Sequence, residues 1–239
     1  MKKVYSVKDI EELHRGGGLE STPSNAVITP SARDRLNELD VKLVKRSGGH
    51  VSATTSKNNG ALDENGIDQS VRANSSKTDI ERLFNSPAVH ELKEQICDVG
   101  RRLWQRAYVD GNGGNLSIRL TEDVVLCTPT LVSKGFMKPE DLCLVDLEGN
   151  QLAGIKNRTS EILMHLSIMK AQPKARAVSH AHPPYATGFA VAGVQPPTCM
   201  IPEIEVFIGR VPIAPYETPG TPEMGLKVAE LVDQHNTVL

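Results

Sequence analysis

Two histidines and one carboxylate stand close together in RTSEILMHLSIMKAQPKARAVSHAH, residues 158–182. Side chains alternate along a strand, so in AVSHAH the residues Val178, His180 and His182 leave one face, and Ala177, Ser179 and Ala181 the other. Two positions along a strand span roughly 6.5–7 Å of backbone, close enough for both imidazoles to meet at one metal ion. Upstream, Glu161 falls in the first turn of a helix. One carboxylate beside one metal site is the minimum equipment for moving a proton next to a carbonyl.

Several elements must hold these groups in place. Thr159 and Ser160 suit a helix N-cap; Ile162, Leu163, Leu166 and Met169 recur on one helical face, and Pro173 closes the segment. Earlier, Ser86 and Pro87 open a strong helix whose stripe runs through Val89, Leu92, Ile96, Val99 and Leu103, extends to Trp104 and Ala107, and ends at Gly111. GNGGNLSIRL follows, a glycine-rich turn entering a strand. Closely spaced glycines let backbone N–H groups approach an anion, and Asn115 and Ser117 add side-chain partners, although Gly-Asn runs also make plain hairpin turns. VVLCTPT and DLCLVDLEGN read as two further strands. After His182, PPYATGFAVAG reads as a short helix, and PTCMIPEIEVFIGRVPIAPY as mostly extended. Thr221 with Pro222 opens a last helix carrying Met224, Val228, Leu231 and Val232, and NTVL resembles the first half of a buried strand, so the fold is expected to be C-terminally incomplete. Helix, then strands, then helix and strand again implies an α/β sandwich with an antiparallel-rich sheet.

The 239 residues allow one domain of ordinary size, expected over 79–239, plus an accessory segment. Residues 1–46 read as a small module: Ser6 with Asp9 resembles a capping box, NAVITP and VKLV are short strands, and SARDRLNEL is a helix. Residues 47–78 are dominated by Ser, Gly, Asn, Thr and Lys and read as a flexible linker in which His50 is one more polar residue. The net charge of −2 and the lack of a basic stripe exclude a nucleic-acid partner. No apolar run approaches the roughly 18 residues a membrane span needs, and the N-terminus has no apolar signal core. The 4 cysteines lack CxxC spacing, which implies buried reduced thiols in a soluble, cytoplasmic protein.

GGNLSIR, CTPT, the TSE at Thr159 to Glu161, the HAH at His180 to His182 and APYETPGT, in this order, resemble the class II aldolase/adducin family, from about residue 91 to Leu239. The pattern is most similar to the L-fuculose-phosphate aldolases. The resemblance implies a three-layer α/β/α fold with a largely antiparallel central sheet. It implies Zn2+, or another divalent metal, on His180 and His182, with a third histidine a few residues past Leu239; His235, just before NTVL, is a disfavoured stand-in. Glu161 matches the catalytic acid/base. Gly114, Asn115, Thr130, Thr159 and Ser160 match the positions that hold the substrate phosphate. The implied reaction cleaves a ketose 1-phosphate, L-fuculose 1-phosphate or a similar deoxy-sugar phosphate, to dihydroxyacetone phosphate and an aldehyde such as L-lactaldehyde. The metal would stabilise the enediolate, and Glu161 would shuttle its proton. A homo-oligomer, a tetramer, is implied as well.

Two positions depart from the family pattern. Leu131 stands where some members have a glycine, and MIPEIEVF offers no match for a tyrosine that some fuculose-phosphate aldolases use. The opening "K-x-x-x-x-x-D-I … I-T-P-x-A-R-D" is similar to N-terminal segments of enzymes associated with bacterial microcompartments, which implies enclosure with a shell.

Competing readings exist for each feature. A lone HxH can be two imidazoles satisfied by core hydrogen bonds; Glu161 and the anion-loop candidates favour the metal. His165, four residues after Glu161, reads as structural, and Lys134 lacks the barrel context of a Schiff-base aldolase. A sugar-phosphate 4-epimerase of the same family would use the same retro-aldol chemistry, but such enzymes tend to carry aspartate where this chain has Glu161. A catalytically silent adducin-like binding protein is the alternative outside enzymology.

Overall fold

The computed structural model describes residues 62–239 together with Val4–Tyr5, Ile10, Arg15 and Val27–Ile28. The chain divides into two compact units, Met1–Lys57 and Asn58–Leu239. In the first, β1 (Val4–Tyr5) pairs in parallel with β2 (Val27–Ile28), the latter inside the expected strand NAVITP. The helix SARDRLNEL, the strand VKLV and His50 lie outside the described residues.

The second unit begins earlier than expected. Residues 62–78, read from composition as the end of a linker, are packed: Leu62 bridges to Asp68, and Ile67 and Val71 are buried in the core. Asp63 explains how so polar a stretch holds its shape. Its Oδ1 accepts from the backbone N–H groups of Asn65 and Ile67 at 2.9 Å each, an Asx-type turn that satisfies the loop locally. Composition hid two buried apolar residues among many exposed ones.

Helix α1 (Lys77–Phe84) is capped by Ser76, and α2 (Pro87–Gln105) by Ser86 with Pro87 at its first position. The buried stripe of α2 runs through Val89, Lys93, Ile96, Cys97 and Gly100, while Val99 and Trp104, expected inside, are each 42% exposed. Gly100 explains the rotation. A Cβ there would lie 2.6 Å from the Lys134 carbonyl oxygen, so the helix turns its smallest residue to the loop that crosses it.

A five-stranded antiparallel sheet follows, in the order β6-β5-β4-β3-β7: β3 (Asn115–Arg119), β4 (Val124–Cys127), β5 (Cys143–Asp146), β6 (Gln151–Ala153) and β7 (Ala177–His180). Strand alternation sorts its two faces. Val124, Leu126, Leu142 and Leu144 join α1 and α2 in one cluster; Val125, Cys127, Cys143 and Val145 pack on the other face against Ile162, Leu166 and Met169 of α3 (Ile162–Ala171). Helix, sheet, helix is the three-layer arrangement expected. Helix α4 (Pro184–Ala192) falls where expected, whereas PEIEVF, read as extended, forms the short helix α5 (Pro202–Phe207) with Pro202 at its start. Thr221 caps α6 (Pro222–Ala229), which packs along α3. Gly225 makes that approach possible, since a Cβ would meet Ser167 Oγ at 2.7 Å. Leu239 is bonded through its backbone to Pro212 and Ala214, so NTVL runs beside an extended partner. Among the described residues no helix is long and apolar enough to cross a membrane.

Candidate active site

Register between β3 and β7 is what assembles the site. Asn115 lies opposite His180 and Ser117 opposite Val178, so Asn115 and Ser117 face the same side as the histidines. Helix α3 covers that side. It starts one residue later than the Thr159–Ser160 capping prediction, with Glu161 itself at the N-cap position, making no side-chain cap bond. Thr159 instead stabilises the preceding turn, its Oγ1 accepting from the Glu161 N–H at 3.4 Å. That leaves the Glu161 carboxylate free to point at the sheet. Its Oε2 accepts from Asn115 Nδ2 at 2.6 Å and lies 3.7 Å from His180 Nε2.

The two imidazoles converge. His180 Nε2 and His182 Nε2 are 2.9 Å apart, with ring centroids at 4.8 Å. The β-strand ends at His180, and the backbone N–H of His182 donates to Tyr108 O at 2.7 Å, which fixes where its ring sits. Gly114, with φ of 70°, lets the glycine-rich turn pass close by: a Cβ there would collide with Val109 Cγ1 and lie 2.8 Å from His180 O. At Gly113 a Cβ would lie 3.1 Å from His182 Nδ1. Burial lowers the pKa of His180, partly offset by Glu161 and reinforced by His182, so the imidazole is held neutral.

Those donors suit two positions of a divalent-metal site. A metal ligand must be a neutral imidazole, and two nitrogens at roughly 2.0–2.1 Å from a tetrahedral zinc stand about 3.3 Å apart, close to the spacing seen. Among the described residues no group of three His, Cys, Asp or Glu side chains forms a complete metal cage. His235 lines the same open cleft of about 960 Å³ as the histidine pair without joining it.

The remaining predicted residues divide. Pro129 bridges Arg158, the Thr130 N–H donates to Asn157 O at 2.9 Å, and the Thr159 N–H to Thr128 O at 3.0 Å, which draws the threonine loop alongside Thr159 and Ser160. Thr159 is buried and Ser160 exposed. Leu131 has φ of 56° and is 77% exposed, so the loop holds a backbone conformation in which glycine is at ease despite carrying leucine. Asn115 is buried, with its side-chain amide turned to Glu161 and His165.

Two side chains matter more than their spacing suggested. His165, read as structural, is fully buried and touches both Asn115 and Ser117. Lys134 is 1% exposed, and its ammonium donates to Val132 O at 2.7 Å and Asn112 O at 3.2 Å, tying the threonine loop to the glycine-rich turn. Burial lowers its pKa, against the opposing pull of Glu161. A lysine between Ser133 and Gly135 carries no such signal in the sequence.

This arrangement, an antiparallel sheet offering a histidine pair to a carboxylate at a helix start, coincides with a family relationship. The chain matches the family described as Class II Aldolase and Adducin N-terminal domain over residues 94–239, and it belongs to that family. It is a class II aldolase-type enzyme. A 3-oxo-tetronate 4-phosphate decarboxylase of Cupriavidus necator is 34% identical over 153 residues, 62% of this chain and 70% of the relative. An L-fuculose phosphate aldolase of Methanococcus vannielii is 37% identical over 148 residues, 61% of this chain and 76% of the relative. Among solved structures, L-fuculose-1-phosphate aldolase from Thermus thermophilus is similar with a TM-score of 0.55 at 29% identity, over 62% of this chain and 73% of that one.

Proposed function

We propose that this chain cleaves a carbon–carbon bond next to the carbonyl of a sugar phosphate. The preferred substrate is a ketose 1-phosphate, L-fuculose 1-phosphate or a similar deoxy-sugar phosphate, giving dihydroxyacetone phosphate and an aldehyde such as L-lactaldehyde. The observation that carries this reading is the carboxylate of Glu161 at 3.7 Å from His180 Nε2, beside two imidazole nitrogens that face the same point. His180 and His182 would hold a divalent metal, zinc in the preferred reading, which supplies Lewis-acid stabilisation of charge developing on the carbonyl oxygen. Glu161 returns a proton to the carbon that loses its partner. Thr130, Thr159, Ser160 and the Gly114 turn would receive the phosphate. Their loops are drawn together by the Thr128–Thr159 backbone bond and tied by Lys134.

A second reaction is favoured by the 34% identity to a decarboxylase. Loss of carbon dioxide from a 3-oxo-tetronate 4-phosphate leaves the same three-carbon ketone phosphate, and the same carboxylate would protonate it. The experiment is therefore a side-by-side assay of zinc-supplemented protein on L-fuculose 1-phosphate and on 3-oxo-tetronate 4-phosphate. Both are scored for dihydroxyacetone phosphate, with aldehyde and carbon dioxide measured separately. Aldehyde release supports the aldolase, carbon dioxide the decarboxylase, and neither product refutes both. Recovery of an epimerised sugar would point to the 4-epimerase chemistry. No zinc uptake and no turnover would favour the binding protein.

Two wider proposals rest on resemblance. Assembly into a homo-tetramer is tested by light scattering. Enclosure in a bacterial microcompartment through residues 1–46 is tested by fusing that segment to a fluorescent protein in a shell-forming host; diffuse fluorescence would refute it.

A further inference from the structure

The polar cluster beneath Glu161 is deeper than satisfying one carboxylate requires, and it sits where the neighbouring layer is aliphatic. Resting on the reading of Glu161 as the acid/base, we propose that Ser117, His165 and Asn115 are positioning residues. They form a directed hydrogen-bond chain that ends on Glu161 and holds its carboxylate against the histidine pair.

Each link is short, and the two that involve His165 are buried. Ser117 Oγ lies 2.7 Å from His165 Nδ1, His165 Nε2 bonds Asn115 Oδ1, and Asn115 Nδ2 lies 2.6 Å from Glu161 Oε2. Ser117, His165 and Asn115 are all buried. The amide of Asn115 fixes every direction. Its NH2 group donates to Glu161 and its carbonyl faces His165. That carbonyl only accepts, so His165 carries its proton on Nε2. Nδ1 is left to accept, and the Ser117 hydroxyl donates to it.

The geometry comes from two repeats in register. Asn115, Ser117 and Arg119 alternate along one face of β3, and Glu161, His165 and Met169 are one helical turn apart along α3. At the far end Arg119 donates to Met169 O at 2.5 Å, so the two rows are bonded along their length. Elsewhere the same helix packs on the same sheet face through Ile162, Leu166 and Met169 against Val125, Cys127 and Val145. Apolar side chains would fill the Ser117–His165 position without the desolvation of three polar groups. Their presence is explained by what they hold. A carboxylate whose orientation is fixed before substrate arrives needs no reordering at the moment of proton transfer.

The test has one arm that needs no turnover. In 15N-labelled full-length protein at pH 7, long-range proton–nitrogen spectra should show His165, assigned through His165→Gln, as a neutral imidazole protonated on Nε2. Ser117→Ala should shift its Nδ1 resonance. In the second arm, zinc-supplemented protein is followed for deuterium uptake from solvent into dihydroxyacetone phosphate. Ser117→Ala should slow the saturated rate about tenfold with KM within about twofold, and Ser117→Thr, which keeps the hydroxyl, should restore it. A His165 protonated on Nδ1, a charged His165, or an unchanged saturated rate in Ser117→Ala overturns the proposal. A parent protein that takes up no deuterium overturns the acid/base reading instead, and the hydrogen-bond chain is then decided by the tautomer alone.

Discussion

Replacing His165 by glutamine should remove a pH dependence from the stability of this protein. His165 is fully buried between β3 and α3, and burial, followed by the proximity of His180, pushes its pKa down to about 3. Unfolded, the same imidazole titrates near 6.5. Because the folded value is the lower one, the unfolded chain takes up the proton first as pH falls. The stability contributed by the neutral ring is therefore complete above about pH 6.5 and is lost progressively as pH drops toward 3. Between pH 7 and pH 5 the loss is about 2 kcal/mol, from the near-complete protonation of the unfolded imidazole at pH 5 while the folded one stays neutral. Urea unfolding of parent and His165→Gln at pH 7 and pH 5 measures it. The parent should lose about 2 kcal/mol more than the variant over that interval. The lowered His180 is present in both proteins and cancels in the comparison. Equal losses would refute a neutral, buried His165 and the hydrogen-bond chain drawn through it.

Other expectations follow from single contacts. Glu161→Gln keeps the shape but not the proton acceptor, and should cut deuterium uptake by about 10²–10⁴-fold with little change in melting temperature. Gly114→Ala, at φ of 70° and with a Cβ that would lie 2.8 Å from His180 O, should destabilise by about 1–3 kcal/mol in urea and weaken zinc binding. Of the 4 thiols, only Cys199 is exposed; burial raises Cys97 and Cys143 to about 11 and Cys127 higher still. One thiol should therefore react promptly with a disulfide reagent in native protein and all of them after denaturation. Asn115→Asp replaces a donor by a second carboxylate against Glu161, and should slow turnover more than Ser117→Ala does.

Much of the fold was legible because it rests on local rules. The caps Ser86 and Thr221, the strands around Leu116, Val125 and Leu144 and the alternation in AVSHAH each follow from a few adjacent residues. Failures came where burial was decided by a distant neighbour. Val99 lost its place in the α2 stripe because the 134-loop needed Gly100, and residues 62–78 were packed through Ile67 and Val71 despite a polar composition.

Sequence alone determined the chemistry on offer: two histidines two residues apart at the end of a strand, a glutamate at a helix start and a glycine-rich turn, all set by spacings of two and of about one helical turn. What it could not contain is the register between β3 and β7 and the docking of α3 on that face. Asn115 and Glu161 are 46 residues apart in the chain and 2.6 Å apart in space. A one-residue slip of β3 would turn Asn115 and Ser117 away from His165, and one of β7 would turn His180 away from Glu161. The cross-strand pairing of Asn115 with His180 is therefore what sets Asn115 against Glu161.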